Sequence, residues 1–308
     1  METNMQDKNI GVFGYSANKP EFREFVKGFA TGISKYNKCF YEPERQYREC
    51  DIAVIFGSFR EDKDKERTDY HRFKGEVLRE DCRVVYIESA LLNRVALVLT
   101  NTHWRVAADS FMMDGKFGFR DNPPSDRFDE LNIKPKPWKT DGDYVLLGMQ
   151  LLKDASLFGT DHKAWAEQTV TDILAKTDLP VKIRMHPLTK PQDENRMFAI
   201  REFEKNPRVS FSKRGTPLEE DFAGAKCMVS FTSGSGIDAV IAGVPHIAMD
   251  CRSMASPMSG WSLDHIDNPV TPDRTTYLRN MAYAQWTPEE MESGECWKHL
   301  LDNVFNNK

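Results

Sequence analysis

The stretch VSFTSGSGIDA, residues 229–239, decides how the second half of the chain folds. Its apolar beginning predicts a buried strand, and the small residues that follow open a helix. Glycines let a backbone approach a ligand closely, and the N–H groups at a helix start favour phosphate. Ser233 and Ser235 add hydroxyls beside Gly234 and Gly236. The stretch therefore predicts a phosphate or diphosphate site, with a tight turn that binds nothing as the alternative.

The same residues also fit the dinucleotide fingerprint G-x-G-x-x-A, with Asp250 as the acid after the next strand. Three features count against it. The first glycine comes late, after Thr232 and Ser233, and the helix predicted over 237–242 has only about two turns. Few residues follow Asp250, and those after 274 are predicted helical, so the further strands of a dinucleotide fold are missing. Nicotinamide chemistry is the minority interpretation.

Around this stretch, apolar strands alternate with helical patterns. The predicted strands are 10–15, 51–56, 83–87, 144–148, 181–185, 209–211, 227–231 and 246–249, and the predicted helices include 20–33, 163–176 and 194–205. Near-continuous apolar strands separated by helices favour parallel sheets covered on both faces. We therefore predict an α/β protein with two Rossmann-like domains, whose ligand lies in a cleft beyond the carboxyl ends of the strands.

Prolines mark the boundary between the two domains. Four of the 16 prolines fall within residues 123–137, a density typical of an extended linker. We predict a first α/β domain over 1–140 and a second over 141–270. The remaining segment, 271–308, is expected to be helical and to pack back on the first domain. In it, Thr287 before Pro288 indicates a helix start.

Two further segments of the second domain end in polar residues. In KIRMHP, residues 182–187, a strand delivers Arg184 and His186 to its end, where they could neutralise a departing phosphate. A capping histidine is the alternative. After the strand at 144–148 the candidates for donor or acceptor contacts are Gln150, Asp154 and Ser156, with ordinary loop residues as the alternative.

The first domain offers acids for general-base catalysis, which would accept the proton of an attacking hydroxyl. Asp114 lies in a glycine-containing turn and Glu88 at a strand tip, and these two are the main candidates, with Asp109 third. For each one, a solvated or structural acid is the competing interpretation.

Composition limits the classes of function. The 308 residues are 40% hydrophobic and 29% charged, with a net charge of −5, so no global basic field attracts nucleic acid. No apolar run reaches the roughly 20 residues of a membrane span, and the amino terminus lacks a signal-peptide pattern. The six cysteines show no zinc-type spacing and are expected to be free thiols. We expect a soluble cytoplasmic protein with no bound metal.

Several of these motifs together resemble a known family. The His-Pro strand tip, the Ser/Gly turn and AVIAGVP (239–245) are similar to the carboxyl domain of GT-B glycosyltransferases, particularly the capsular-polysaccharide (Kdo-transferase-like) and sialyltransferase-like groups. The segment VLLGMQLLKDASL (145–157) looks like their opening Gln…Asp-x-Ser segment. The segments WRV, FMMDGKF, PPSDRF, KPW and QWTPEEMESG resemble glycosyltransferase-like proteins of tailed bacteriophages. The resemblance covers roughly residues 85–300.

The resemblance implies metal-independent sugar transfer from a nucleotide-sugar donor, a UDP-sugar being one candidate, without another cofactor. The domain over 1–140 would then lie on the acceptor side, and the domain over 141–270 would bind the donor. Its donor-binding residues would be Gln150, Ser156, Arg184, His186 and the turn 233–236. The sequence departs from the family in reading TSGSG where a Ser-Ser pair is usual. No segment matches the first-domain acidic motif of sialyltransferases, so the resemblance does not identify the base. No DxD-like metal motif stands out.

The phage resemblance also implies an acceptor, the hydroxymethyl group of a modified pyrimidine in duplex DNA. Local basic residues would then contact the DNA phosphates; they are Arg60, Lys63, Lys65, Arg67, Arg72, Lys134, Lys136 and Lys139. Acids are interleaved with these residues, so a solvated face is an equal interpretation. A surface glycan is the next acceptor class. The rival functions are a nucleotide-sugar epimerase and a non-catalytic nucleotide-binding protein.

Overall fold

A computed structural model describes residues 5–58, 69–93, 102–152, 154–190 and 202–306. The chain divides into two compact units. The first unit comprises residues 1–133 and 275–308, and the second comprises residues 134–274. The second unit is therefore inserted into the sequence of the first.

The first unit is built on a six-stranded sheet with the order β12-β5-β4-β3-β1-β2. Its parallel strands are β1 (Asn9–Phe13), β2 (Lys38–Glu42), β3 (Ile52–Phe56) and β4 (Arg83–Ser89). Two short strands are antiparallel, β5 (Trp104–Ala108) and β12 (Gln285–Trp286). The helices are α1 (Pro20–Ser34), α2 (Asp69–Val77), α3 (Asp126–Glu130), α7 (Thr275–Tyr283), α8 (Pro288–Ser293) and α9 (Glu295–Leu300).

The second unit is built on a six-stranded sheet in which every pairing is parallel. The strands are β6 (Tyr144–Gly148), β7 (Val181–Arg184), β8 (Val209–Phe211), β9 (Ala225–Ser230), β10 (His246–Ala248) and β11 (Ser259–Gly260), in the order β11-β10-β9-β6-β7-β8. Counted within the unit, this order is 6-5-4-1-2-3, that of doubly wound Rossmann sheets. The helices are α4 (His162–Lys176), α5 (Leu218–Gly224) and α6 (Ser235–Ala242).

Alternation along the strands places an apolar layer on each face of the second sheet. Val145, Leu147 and Ile183 pack with α4 residues on one face. Leu146 and Met228 pack with Phe222 of α5 and Ala239 of α6 on the other. Burial on both faces is what the continuous apolar strands predicted.

Helix ends follow the sequence signals in both units. The Asp161 carboxylate accepts hydrogen bonds from the amides of Lys163 and Ala164 and so caps α4. Thr287 and Glu290 form a reciprocal capping box at the start of α8, with Pro288 in the first turn, as predicted. Helix α8 packs against α1, and Met291, Trp297 and other residues of the carboxyl-terminal helices join the core of the first unit.

The sequence analysis missed the short or half-buried strands β2, β5, β11 and β12, which lack a long apolar run. The helix predicted over 194–205 lies largely outside the described residues, and only Phe203–Lys205 is seen, as a 3₁₀ turn. The proline-rich segment was expected to be extended, but it contains α3. The expectation that too few strands follow Asp250 was also wrong, because the second sheet is complete.

The cysteines and the helix lengths bear on two expectations drawn from composition. All six cysteines are unpaired thiols. Among the described helices, none combines the length and apolar character needed to cross a membrane.

Candidate functional site

The second sheet has one place where its connections diverge, between β6 and β9. From β6 the chain moves outward to β7 and β8, and it then returns to start β9 on the other side of β6. Ligands of open α/β sheets bind at such a switch point, beyond the carboxyl ends of the strands. Here those ends carry Gln150, after β6, and the turn Thr232–Gly236, after β9.

Gln150 ties the two strand ends together and is almost completely buried. Its side-chain Oε1 accepts from the Thr232 amide at 2.9 Å, and its Nε2 donates to Ser156 Oγ at 2.9 Å and Thr232 Oγ1 at 3.1 Å. The Ser156 hydroxyl donates to Asp154 at 2.7 Å, and the Thr232 hydroxyl donates to the Ser156 carbonyl at 2.8 Å. Gln150, Asp154 and Ser156, all predicted as candidates for donor or acceptor contacts, thus form one internal network with Thr232.

His162 supports this network from the first turn of α4. Its Nε2 accepts from the Gln150 amide at 2.9 Å, and its ring stacks on Trp165. Burial lowers the pKa of His162 to about 4, so the ring is neutral at physiological pH. Neither His162 nor Thr232 was selected from the sequence, although Thr232 stood inside the quoted motif.

The Ser/Gly turn leaves two backbone donors uncommitted. The amides of Ser235, Gly236 and Ile237 are bonded within the turn, to Ser233 Oγ, the Ser233 carbonyl and the Gly234 carbonyl. The amides of Ser233 and Gly234 have no acceptor among the residues that the structure describes. The two hydroxyls, Ser233 Oγ and Ser235 Oγ, lie 2.7 Å apart beside them. This half-exposed group of N–H and O–H donors at the start of α6 suits an anion.

Gly236 is required by packing under the turn. A Cβ on Gly236 would lie 2.7 Å from His246 Cε1 and 3.0 Å from the Ala255 Cβ. The buried His246 ring is held between Ser230 Oγ at 2.9 Å and Ser259 Oγ at 2.6 Å, and burial lowers its pKa to about 3. A neutral histidine therefore fixes the start of α6 from below.

Arg184 and His186 are placed differently from each other. Arg184 turns toward α5, where its guanidinium bonds the buried Asp221 and the Thr216 carbonyl. Burial would raise the pKa of Asp221, but Lys182, Ser212 and Arg184 hold it below its usual value. His186 lies half-buried in the loop after β7, and its Nδ1 accepts from the Leu188 amide at 3.1 Å. Two strand spacings, about 10 Å, separate the ends of β7 and β9.

Asp250, the acid of the dinucleotide fingerprint, is engaged by its own loop. Its carboxylate forms a two-bond pair with Arg252, at 2.8 and 2.6 Å. The Arg252 guanidinium lies 3.8 Å from the centre of the Phe158 ring. The glycines of the fingerprint also follow the fourth strand of the unit, whereas the dinucleotide motif occupies the first strand–helix turn. Both features count against nicotinamide chemistry.

The first sheet has its own switch point, between β1 and β3. Glu88 lies near it at the end of β4, where one carboxylate oxygen accepts from the Ser58 amide and hydroxyl and the other from the Ser89 amide and hydroxyl. Burial would raise the pKa of Glu88, but Arg105, the two amides and Lys74 hold it below its usual value. The carboxylate is therefore ionised at neutral pH.

Asp114 and Asp109 lie at the opposite end of the strands of the same sheet, where the Asp109 amide donates to the Val84 carbonyl near the start of β4. Strand β5 runs antiparallel to β4, with Arg105 opposite Glu88 and Ala108 opposite Val85. About 10 Å of strand thus separates Glu88 from the turn that follows β5. In that turn the Asp114 carboxylate accepts from Ser110 Oγ at 2.6 Å, and Asp109 pairs with Arg83 and Lys116. The structure does not bring the two predicted bases together.

The basic residues expected to contact DNA are only partly described. Arg60, Lys63, Lys65 and Arg67 lie outside the described residues. Arg72 pairs with Asp69 at 3.6 Å, and Lys139 donates to the Phe222 and Ala223 carbonyls. In the parts of the chain that the structure describes, no three His, Cys, Asp or Glu side chains gather as a metal site.

Comparison with known proteins gives matches in structure alone. No protein-family model and no curated protein sequence matches this chain. The β-Kdo 2,4-transferase of Thermosulfurimonas dismutans KpsC is 13% identical, with a TM-score of 0.53 over 91% of this chain and 90% of that one. The β-Kdo 2,7-transferase of the same protein is 10% identical, with a TM-score of 0.55 over 94% and 99%.

A UDP-GlcNAc 2-epimerase of Methanocaldococcus jannaschii also aligns, at 10% identity over 96% of this chain and 99% of that one. Its TM-score of 0.31 is too low to support an argument. The two Kdo transferases show the fold. The chain has two Rossmann-like α/β domains of the GT-B type, which confirms the predicted fold class.

Proposed function

We propose that this chain is a glycosyltransferase that moves a sugar from a nucleotide-sugar donor to a hydroxyl acceptor. The observation that carries the proposal is a group of hydrogen-bond donors in the second unit. Two uncommitted amides and two serine hydroxyls lie together at the switch point of a doubly wound sheet. The fold shared with two Kdo transferases supports the proposal.

The chemistry assigned to the second unit is stabilisation of the leaving group. As the acceptor oxygen bonds to the anomeric carbon, the bond from that carbon to the phosphate oxygen breaks. Negative charge then develops on the phosphate, where the Ser233 and Gly234 amides and the α6 dipole would stabilise it. Gln150 and Ser156 act here as positioning residues, because their bonds are spent on holding the turn. Arg184 would act through Asp221 rather than on the phosphate.

For the base that takes the acceptor proton, position favours Glu88 over Asp114. Glu88 lies at the carboxyl edge of the first sheet, where α/β sheets bind ligands, and Asp114 lies at the other edge. An ionised carboxylate can accept a proton, although a lowered pKa makes it a weak base.

The acceptor proposed from the sequence resemblance is the hydroxymethyl group of a modified pyrimidine in DNA, with a surface glycan as the other class. Both belong in one experiment. The purified protein is incubated with a panel of UDP- and CMP-sugars and with DNA containing 5-hydroxymethylcytosine, 5-hydroxymethyluracil or neither, or with glycan acceptors. Products are then weighed by mass spectrometry.

A sugar-sized mass gain on an acceptor supports the proposal. The rate of transfer should fall at least about tenfold in Glu88→Gln but not in Asp114→Asn. The double change of Ser233 and Ser235 to alanine should weaken donor binding, with Ser293→Ala on α8 as the control. Altered donor without acceptor would indicate an epimerase. Binding without turnover would indicate a binding protein. A chain that binds no nucleotide sugar contradicts the proposal.

A further inference from the structure

Large apolar side chains that remain exposed are concentrated at one edge of the second unit. Among the described residues they are Tyr36, Phe158, Leu188 and Trp261. The last three follow β6, β7 and β11, so they lie on loops that leave the carboxyl ends of the second sheet. Trp261 is the most exposed of them, at 64%. Exposed rings next to a candidate ligand site need an explanation that a solvated surface does not give.

The Trp261 ring is exposed but held in place. Its indole N–H donates to the Ser256 carbonyl at 2.9 Å. The residue before it, Gly260, is closely packed, since a Cβ there would lie 2.9 Å from the His265 ring. Ser259 bonds both His246 and the Ala255 carbonyl. An exposed ring on an anchored segment loses little conformational entropy when it binds another ring.

The same segment leads directly to the Ser/Gly turn. Ala255 packs against Gly236 at the start of α6, and the next residue, Ser256, holds the Trp261 indole. Two strand spacings, about 10 Å, separate β9 from β11. A nucleotide with its phosphates on the Ser233 and Gly234 amides could therefore extend along this edge toward Trp261.

We propose that Trp261 is the platform on which the nucleobase of the donor stacks. The inference rests on the proposed function, and it adds a base-binding subsite within the second unit. Base–aromatic stacking tolerates any base because every base has a π-face. The Asp250–Arg252 pair on the intervening β10 loop supplies polar groups between the base and the phosphates.

The test compares ligands with and without a base. Binding of UDP, CMP and inorganic pyrophosphate is measured by calorimetry for the wild type, Trp261→Ala, Trp261→Phe and the control Leu188→Ala. Leu188 is 61% exposed on the same edge, so its truncation matches the loss of apolar surface. Because Trp261 is exposed, neither change at this position should prevent folding, and thermal unfolding verifies this.

Trp261→Ala should weaken the binding of UDP and CMP between about 5- and 140-fold, the range of base–aromatic stacking, while the binding of pyrophosphate is unchanged. Trp261→Phe should retain most of the affinity, and Leu188→Ala should bind as the wild type does. Equal nucleotide affinity in Trp261→Ala overturns the inference, as does an equal loss for pyrophosphate. Failure of the wild type to bind any nucleotide would instead contradict the proposed function.

Discussion

Changing Gln150 to glutamate tests the network that joins β6 to β9. The Gln150 side chain contacts two hydroxyls that already donate their hydrogen bonds elsewhere. The Ser156 hydroxyl donates to Asp154, and the Thr232 hydroxyl donates to the Ser156 carbonyl. Each can therefore only accept from Gln150 Nε2. Gln150→Glu has the same shape but places a carboxylate oxygen there, so both bonds are lost and a charge is buried.

The expected loss follows from those contacts. Two hydrogen bonds are worth about 1–1.5 kcal/mol each, and an uncompensated buried charge raises the loss of unfolding free energy to about 3–5 kcal/mol. Urea unfolding followed by circular dichroism at pH 7.5 measures it, and hydrogen exchange should show faster exchange of the Thr232 amide. Gln168→Glu is the same change on the exposed face of α4. It loses one exposed hydrogen bond to Asp172 and should cost no more than about 1 kcal/mol.

The pH dependence gives a second signature. A buried glutamate at position 150 keeps one donor, the Thr232 amide, and burial still raises its pKa in the folded state. The folded state then binds the extra proton, and stability falls as pH rises. The difference between Gln150→Glu and wild type should therefore shrink at pH 5. A Gln150→Glu protein as stable at pH 7.5 as Gln168→Glu would refute the network.

Three other changes test the scaffold of the two units. Gly236→Ala should lower the unfolding free energy by about 1–3 kcal/mol, because the His246 ring is held on both sides and cannot move away. The control Gly28→Ala, whose Cβ would lie 3.5 Å from Glu292, should not lower it. Thermal unfolding compares the two proteins, and equal melting temperatures would contradict the close packing at Gly236. Asp221→Asn should lower the unfolding free energy by about 3–5 kcal/mol, because Lys182 and Arg184 both lose their carboxylate partner. Urea unfolding measures this loss, and an unchanged midpoint would mean that Arg184 does not depend on Asp221. Three buried histidines have lowered pKa values, near 4, 3 and 4 for His162, His246 and His299. The unfolded chain binds more protons below about pH 6.5, so stability should fall from pH 6.5 toward 4, and a urea midpoint that stays constant over that range contradicts the burial.

The sequence predicted best where one strand could be interpreted by itself. Continuous apolar runs identified β3, β6 and β9, and the residues at their ends showed where the second sheet would present polar groups. Gln150 and the Ser/Gly turn meet at the switch point because both follow central parallel strands. That required no knowledge of which strands pair.

Pairing direction was the information that the sequence did not contain. Asp114 and Glu88 are alternatives only if β4 and β5 end at the same edge, and the antiparallel register separates them. Arg184 does lie at the end of β7, but its guanidinium bonds Asp221 of α5, a partner that the strand pattern did not indicate. Trp261 follows a two-residue strand that no periodicity could reveal.

The insertion of residues 134–274 affects the order in which the chain can fold during synthesis. Strand β12 covers the edge of β5 and comes from residues 285–286, so the first sheet stays incomplete until those residues have left the ribosome. The inserted unit can close earlier, because its entry and exit segments bind each other. Arg274 donates to the Lys136 carbonyl and lies 4.3 Å from the centre of the Trp138 ring, and Trp138 Nε1 donates to the Pro272 carbonyl at 3.0 Å. Because its two ends are held side by side, the unit formed by residues 134–274 could be replaced by a short linker or exchanged for a related unit.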